Sequence, residues 1–238
     1  MSKHLLNSIQ QAQTNGRKLL AILLDPDKLP LEEIATKVAT IHQLKADFIL
    51  VGGSLLFTNV LDAFVREMKK HTNLPIILFP GSALQISNEA DGILFLQLIS
   101  GRNPEYLIGN QVIAAPLLQQ TQLEVISTGY ILVESGRETT ASYISNTKPI
   151  PAHKPEIAMA TALAGQYLGH QLIYLDGGSG ALHPVPESMI ALVRKNIHLP
   201  IVVGGGIRNI KQLDAAYEAG ADLVVIGTAF ELNEFEAS

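Results

Sequence analysis

Apolar residues in this chain fall into short, nearly continuous runs, with amphipathic stretches between them. The runs are Leu19 to Asp25, Asp47 to Gly53, Pro75 to Gly81, Gly92 to Leu98, Glu124 to Glu134, Leu172 to Gly178, Pro200 to Gly206 and Asp222 to Thr228. Most are apolar throughout rather than alternating, the pattern of parallel strands covered on both faces. Helical periodicity occupies LEEIATKVATIHQL, NPEYLIGNQVIAAPLLQQ, KPEIAMATALAGQYLG, PESMIALVRKNI and NIKQLDAAYEAG. Pro30 precedes the first of these, and Gly169 and Gly220 close two others, as helix starts and stops require. Eight strands alternating with helices predict an α/β fold, a (β/α)8 barrel.

One connection breaks the rhythm. Between PIILFPG and GILFLQL stands only SALQISNEAD, too short for a full crossover helix with its loops. The third helix is therefore expected to be missing or replaced by an extended segment. Residues 135–155 form the longest weakly periodic stretch, read as a long loop over the active face. Nothing resembles a linker, so residues 1–238 are expected to make a single barrel domain.

Composition narrows the classes. The chain has 238 residues, 47% of them apolar, and a formal net charge of -5. The mild acidity gives no footprint for nucleic acid. There is no cysteine, which excludes disulfides and thiolate metal sites. No signal-peptide pattern opens the chain, and no apolar run approaches the ~18 residues that span a bilayer. A cytoplasmic protein is expected. The positive mean hydropathy fits a large core, an apolar groove or a subunit interface.

A (β/α)8 barrel carries its chemistry at the C-terminal strand ends. Those ends here are Asp25, Gly52–Gly53–Ser54, Phe79–Pro80–Gly81, Asn103, Asp176–Gly177–Gly178, Gly204–Gly205–Gly206 and Gly227–Thr228. Paired glycine-bearing ends after strands seven and eight suit a phosphate, because uncovered backbone N–H groups can approach it. They also suit tight turns. Asp25 can ligate Mg2+, with the Ser54 hydroxyl as a second ligand or a hydrogen-bond partner; an Asx-turn at Asp-Pro reads equally well. Asp176 can accept a hydroxyl proton from a bound phospho-ester, or cap its own loop. The seven histidines are scattered and show no metal-ligand spacing. Arg102, Arg137, Lys148 and Lys154 lie in loops of the same face and can meet a diphosphate or solvent.

Taken together, LLDPDK, VGGS, LFPGS, SGRNPEYLIG, TGYILVESG, IYLDGGSGA, VVGGGIR and ADLVVIGTAFE resemble the geranylgeranylglyceryl phosphate synthase family, in its second large branch. The motifs run through nearly the whole chain. The resemblance implies a barrel lacking one helix and an Mg2+-dependent transfer of a prenyl group. The donor would be a polyprenyl diphosphate, geranylgeranyl by default, and the acceptor the 3-hydroxyl of sn-glycerol 1-phosphate. The product would be the first ether-lipid precursor. By the same resemblance Asp25 and Ser54 are the Mg2+ ligands. Tyr174, Leu175, Asp176, Gly177, Gly178, Ser179 and Gly180 hold glycerol phosphate. Gly205, Gly206, Gly227 and Thr228 bind its phosphate or neighbouring oxygens, and Asp176 is the base. It also implies a homo-oligomer, dimer or hexamer, with transient membrane contact. The chain departs from the family at two points. Leu23 stands where many relatives have lysine, and YLDGGSG replaces the common YLEYSG. Two other readings are a different phosphate-binding barrel enzyme, such as a sugar-phosphate isomerase or an indole glycerol phosphate synthase-like enzyme, and a non-catalytic phosphate- or lipid-binding barrel.

Overall fold

The computed structural model describes residues 4–236. Eight parallel strands close a barrel in sequence order: β1 (Leu19–Leu24), β2 (Phe48–Val51), β3 (Ile76–Leu78), β4 (Gly92–Leu98), β5 (Glu124–Leu132), β6 (Leu172–Asp176), β7 (Ile201–Gly204) and β8 (Leu223–Ile226). β1 pairs with both β2 and β8, which seals the ring.

The continuous apolar runs follow from burial on two sides. Alternate residues such as Ala21, Leu50, Tyr130, Tyr174 and Val225 fill the barrel interior. Their neighbours, among them Ile22, Ile49, Ile131, Leu175 and Val224, pack outward against the helices. Helix α1 (Leu5–Thr14) adds Leu5, Ile9 and Ala12 to the interior cluster. It closes the barrel at the N-terminal strand ends, where the Glu124 carboxylate accepts the amides of Leu5 (2.6 Å) and Leu6 (2.8 Å). An anion bonded to a helix N-terminus satisfies amides that have no partner within the helix.

The outer layer contains α2 (Ile34–Gln43), α3 (Leu61–Lys69), α4 (Asn110–Leu118), α6 (Pro155–Tyr167), α7 (Glu187–Asn196) and α8 (Ile210–Glu218). Between β3 and β4 there is no helix, as the short spacer predicts. Residues 79–91 cross over as an irregular segment pinned by Gln85, which accepts from the Gly81 amide (2.9 Å) and donates to the Gly53 carbonyl (3.2 Å). A π-helical turn, Glu105–Gly109, leads into α4. Gly169 and Gly220 take positive φ of 90° and 117° after α6 and α8.

Besides α1 and a short helix at Thr228–Glu231, α3 and α5 (Thr140–Ser145) go beyond the sequence reading. α3 buries Leu61, Phe64, Val65 and Met68, an i, i+3, i+4, i+7 stripe. The stretch read as one long loop contains α5, started by a reciprocal capping box between Thr139 and Ser142. No helix among the described residues is long and apolar enough to cross a membrane.

Candidate active site

A cavity of about 610 Å3 opens at the C-terminal mouth of the barrel. Its polar end is built where β6, β7 and β8 stop. Asp176, the last residue of β6, points inward because Tyr174 does, two residues earlier in the strand. Only 6% of Asp176 is exposed. The Tyr130 hydroxyl donates to its Oδ2 (2.6 Å) and the Gly178 amide to its Oδ1 (2.8 Å). Burial raises the pKa of this carboxyl, and the two hydrogen bonds oppose the rise. The net direction is upward, so the carboxyl has greater than ordinary basicity, as a proton acceptor needs. Phe79 stacks on Tyr174 at 5.2 Å between centroids, and Tyr130 meets both rings edge-on. These rings form an aromatic floor beneath the carboxylate. Burial, then the charge of Asp176, pushes the Tyr174 phenol well above its ordinary value and keeps it neutral.

The glycines around Asp176 are needed for space. Gly205 and Gly206 have φ of 80° and 76°. A Cβ on Gly205 would sit 2.7 Å from the Gly178 nitrogen and 2.8 Å from Asp176 Oδ1. Thr228 joins the two sides of this cradle: its Oγ1 accepts from the Gly180 amide (3.2 Å) and lies 3.4 Å from the Ser179 hydroxyl. Two guanidiniums reach the same wall. Arg137 lies against Gly180, and Arg208 donates to the Ala181 carbonyl (3.1 Å). Uncovered backbone flanked by arginines is suited to a phosphate monoester.

Across the mouth, Asp25 follows β1 and Ser54 follows β2; both line the cavity. Asp25 Oδ1 accepts the Asp27 amide (3.1 Å), the Asx-turn arrangement, while its Oδ2 carries the Lys28 ammonium at 2.9 Å. Gly53 leaves the carboxylate uncovered, since a Cβ there would lie 3.1 Å from it. A carboxylate that already attracts a cation, with a hydroxyl one residue beyond the bare backbone, is a donor set that fits Mg2+, which takes few protein oxygens. Among the described residues no three carboxylate or imidazole groups converge into an all-protein metal cage. Asp27 instead receives the Phe57 amide (2.6 Å) and the Thr58 hydroxyl, clamping the loop after β2.

The other end of the cavity is apolar. Leu94 and Leu96 line it from the inner face of β4, and Ile93 and Phe95 from the outer face, together with Ile86, Ala114 and Leu118. The cavity therefore extends from the mouth onto the outside of β4, over the region that the missing helix leaves uncovered.

Most of the expected site residues meet here: Asp25, Ser54, Tyr174, Asp176, Gly178, Ser179, Gly180, Gly205, Gly206, Gly227 and Thr228 all line this cavity. Two do not. Leu175 packs outward among the helices because it is the odd residue between Tyr174 and Asp176. Gly177 is turned from the cavity, its amide donating to the Gly204 carbonyl (3.0 Å). Of the four loop cations only Arg137 reaches the cavity; Arg102 bonds the Gly101 carbonyl (2.7 Å) and Lys154 faces Glu156 (3.8 Å). Lys28, Arg208 and Glu231 line the wall without having been singled out. For Arg208, its place two residues after GGG was the available signal.

The fold and the site define a barrel enzyme of the (β/α)8 class with its chemistry at the C-terminal mouth. Residues 13–238 match the model of the PcrB family, and the chain belongs to that family. It is 52% identical to the geranylgeranylglyceryl phosphate synthase of Flavobacterium johnsoniae, with 97% of each chain covered. To the synthase of the same name from Pyrococcus furiosus it is 47% identical, over 90% of this chain and 85% of the relative. Among solved structures it superposes on (S)-3-O-geranylgeranylglyceryl phosphate synthase from Thermoplasma acidophilum, solved with its substrate sn-glycerol-1-phosphate. The TM-score is 0.91 at 35% identity, covering 95% and 91% of the two chains.

Proposed function

We propose that this chain joins a polyprenyl diphosphate, geranylgeranyl by preference, to the 3-hydroxyl of sn-glycerol 1-phosphate, forming the first ether bond of an ether lipid. The reading is supported by relatives of that name at about half identity over nearly the full chain. The observation that carries it is the position of Asp176. This buried carboxylate stands where a glycine-lined cradle and an apolar limb share one cavity.

In this reading the cradle of Gly178, Gly180, Gly205, Gly206, Gly227 and Thr228, with Arg137 and Arg208, holds the glycerol phosphate by its anionic end. The 3-hydroxyl is thereby brought to Asp176. The glycerol oxygen forms the new bond to the allylic carbon, and its proton passes to Asp176. The old carbon–oxygen bond breaks with its electron pair leaving on diphosphate. Holding both reactants in one cavity makes the encounter effectively unimolecular. Mg2+ held by Asp25 and Ser54 would neutralise the diphosphate and ease its departure. The prenyl tail lies along Phe95, Ala114 and Leu118, where each buried CH2 contributes about 0.8 kcal/mol. We further propose a cytoplasmic homo-oligomer, dimer or hexamer, that touches membranes transiently to deliver its product; light scattering behind size exclusion tests the assembly.

The test of function is transfer of label from radiolabelled sn-glycerol 1-phosphate into organic-extractable product. The assay uses Mg2+ and prenyl diphosphates of several lengths. Product that depends on both substrates supports the reading. Protein that binds glycerol phosphate but makes no product with any prenyl length contradicts it.

A further inference from the structure

The ammonium of Lys28 lies between two carboxylates on the cavity wall, 2.9 Å from Asp25 Oδ2 and 3.4 Å from Glu231 Oε2. Each carboxylate has its other oxygen tied to backbone. Asp25 Oδ1 accepts the Asp27 amide (3.1 Å), and Glu231 Oε1 accepts the amide of Asp25 (2.9 Å). The free oxygens of a rigid pair therefore share one mobile cation. The backbone of Lys28 is fixed, its amide donating to the Asp25 carbonyl (3.0 Å), but its side chain is 52% exposed.

We infer that Lys28 is a displaceable counter-cation: it holds Asp25 and Glu231 in the metal-free protein and moves to the diphosphate when a divalent ion takes Asp25. The inference rests on the reading of Asp25 as a metal-holding carboxylate. Two carboxylates and one ammonium leave the group with one net negative charge. A divalent ion added at Asp25 with Lys28 in place would reverse that sign and set two cations against each other. The cheaper response is movement of the ammonium, a point charge on a flexible four-carbon stem whose side chain is half-exposed to solvent while Asp25 and Glu231 are largely covered. Its destination is set by the metal. Mg2+ keeps coordination positions for substrate phosphate oxygens, so the diphosphate arrives within reach of the displaced lysine. The chain thereby supplies a cation to the leaving group from the turn after Asp25, although Leu23 offers none.

The test uses the full chain with Mn2+ as the probe, free ion being read by electron paramagnetic resonance, and then inorganic pyrophosphate titrated in the presence of Mn2+. Lys28→Met should bind Mn2+ about fivefold more tightly, since a competing cation is gone. It should bind pyrophosphate about tenfold more weakly, since a charge-assisted contact is gone. Lys28→Arg should restore most of the pyrophosphate affinity, and Lys28→Gln should repeat the effects of Lys28→Met if the latter folds poorly. Asp25→Asn should abolish Mn2+ binding. If Asp25→Asn loses Mn2+ while neither neutral Lys28 variant gains affinity, the displacement is wrong and the metal reading stands. Pyrophosphate affinity unchanged in both neutral variants overturns the transfer of Lys28 to the diphosphate. If Asp25→Asn binds Mn2+ like the parent protein, the metal reading and this inference fall together.

Discussion

The Tyr130 hydroxyl donates a 2.6 Å hydrogen bond to the buried carboxylate of Asp176. The two residues come from neighbouring strands, paired through Tyr130 with Tyr174 and Leu132 with Asp176. This bond opposes the rise in pKa that burial imposes on Asp176. Tyr130→Phe removes it and should raise the carboxyl further. A base acts only when ionised, so the acid limb of the kcat/KM profile should move to higher pH. A pH–rate profile of the variant beside the parent protein measures this. A limb that stays in place would separate Asp176 from the proton transfer.

Gly205 and Gly227 should respond differently to alanine. Gly205 has φ of 80° and no room for a Cβ, whereas a Cβ on Gly227 would meet Leu23 at an ordinary 3.4 Å. Gly205→Ala should cost roughly 1–3 kcal/mol of stability through backbone strain. It should also weaken sn-glycerol 1-phosphate binding, because the cradle must open. Gly227→Ala should unfold within about 0.5 kcal/mol of the parent protein. Denaturant melts and calorimetric titration measure both.

Ala114 lines the apolar limb from α4. Ala114→Phe should fill part of it and shorten the prenyl chain that fits. Losing burial of a few CH2 groups at about 0.8 kcal/mol each predicts at least a tenfold loss of kcat/KM for geranylgeranyl diphosphate. A shorter donor such as geranyl diphosphate should be less affected. Equal loss for both lengths would place the tail elsewhere.

Glu124 acts at the opposite end of the barrel. Its carboxylate bonds the first amides of α1, the helix that closes the N-terminal strand ends. Glu124→Ala should destabilise the fold by about 1–2 kcal/mol and leave the kinetics of the folded enzyme unchanged. Thermal melts and steady-state assays together check this separation.

The barrel was legible because parallel strands buried on both faces leave continuous apolar runs, and because the short spacer after β3 cannot hold a helix. That same continuity conceals which residues point inward, so the family resemblance, which carries Tyr174 to Gly180 over as one block, does not separate Leu175, packed outward, from Tyr174 and Asp176. α3 carried a clear stripe in Leu61, Phe64, Val65 and Met68 yet lay in a stretch to which no element had been assigned. At the site, Asp25, Ser54 and Asp176 were recognisable as polar residues ending apolar strands. Lys28, Arg208 and Glu231 lie one turn or more beyond strand ends, where a charged residue looks like any solvated one. Only the return of the chain to the mouth places them on the cavity wall.

Asp176, the proposed base, stands where the cradle meets the apolar limb. Its role is tested most directly by comparing Asp176→Asn with the parent protein in single-turnover prenyl transfer, with sn-glycerol 1-phosphate affinity measured on the same samples. Because burial raises the carboxyl pKa, the parent protein loses stability as pH rises from the ordinary carboxylate value through the raised one. Asn can accept only one of the two hydrogen bonds that the carboxylate takes from Tyr130 and Gly178, so thermal melts at the assay pH on the same samples separate a loss of activity from unfolding. Transfer by Asp176→Asn should fall by at least about a hundredfold, the scale of a lost general base, with glycerol phosphate affinity nearly unchanged. Transfer at the parent rate in a folded, glycerol phosphate-binding variant would contradict that role.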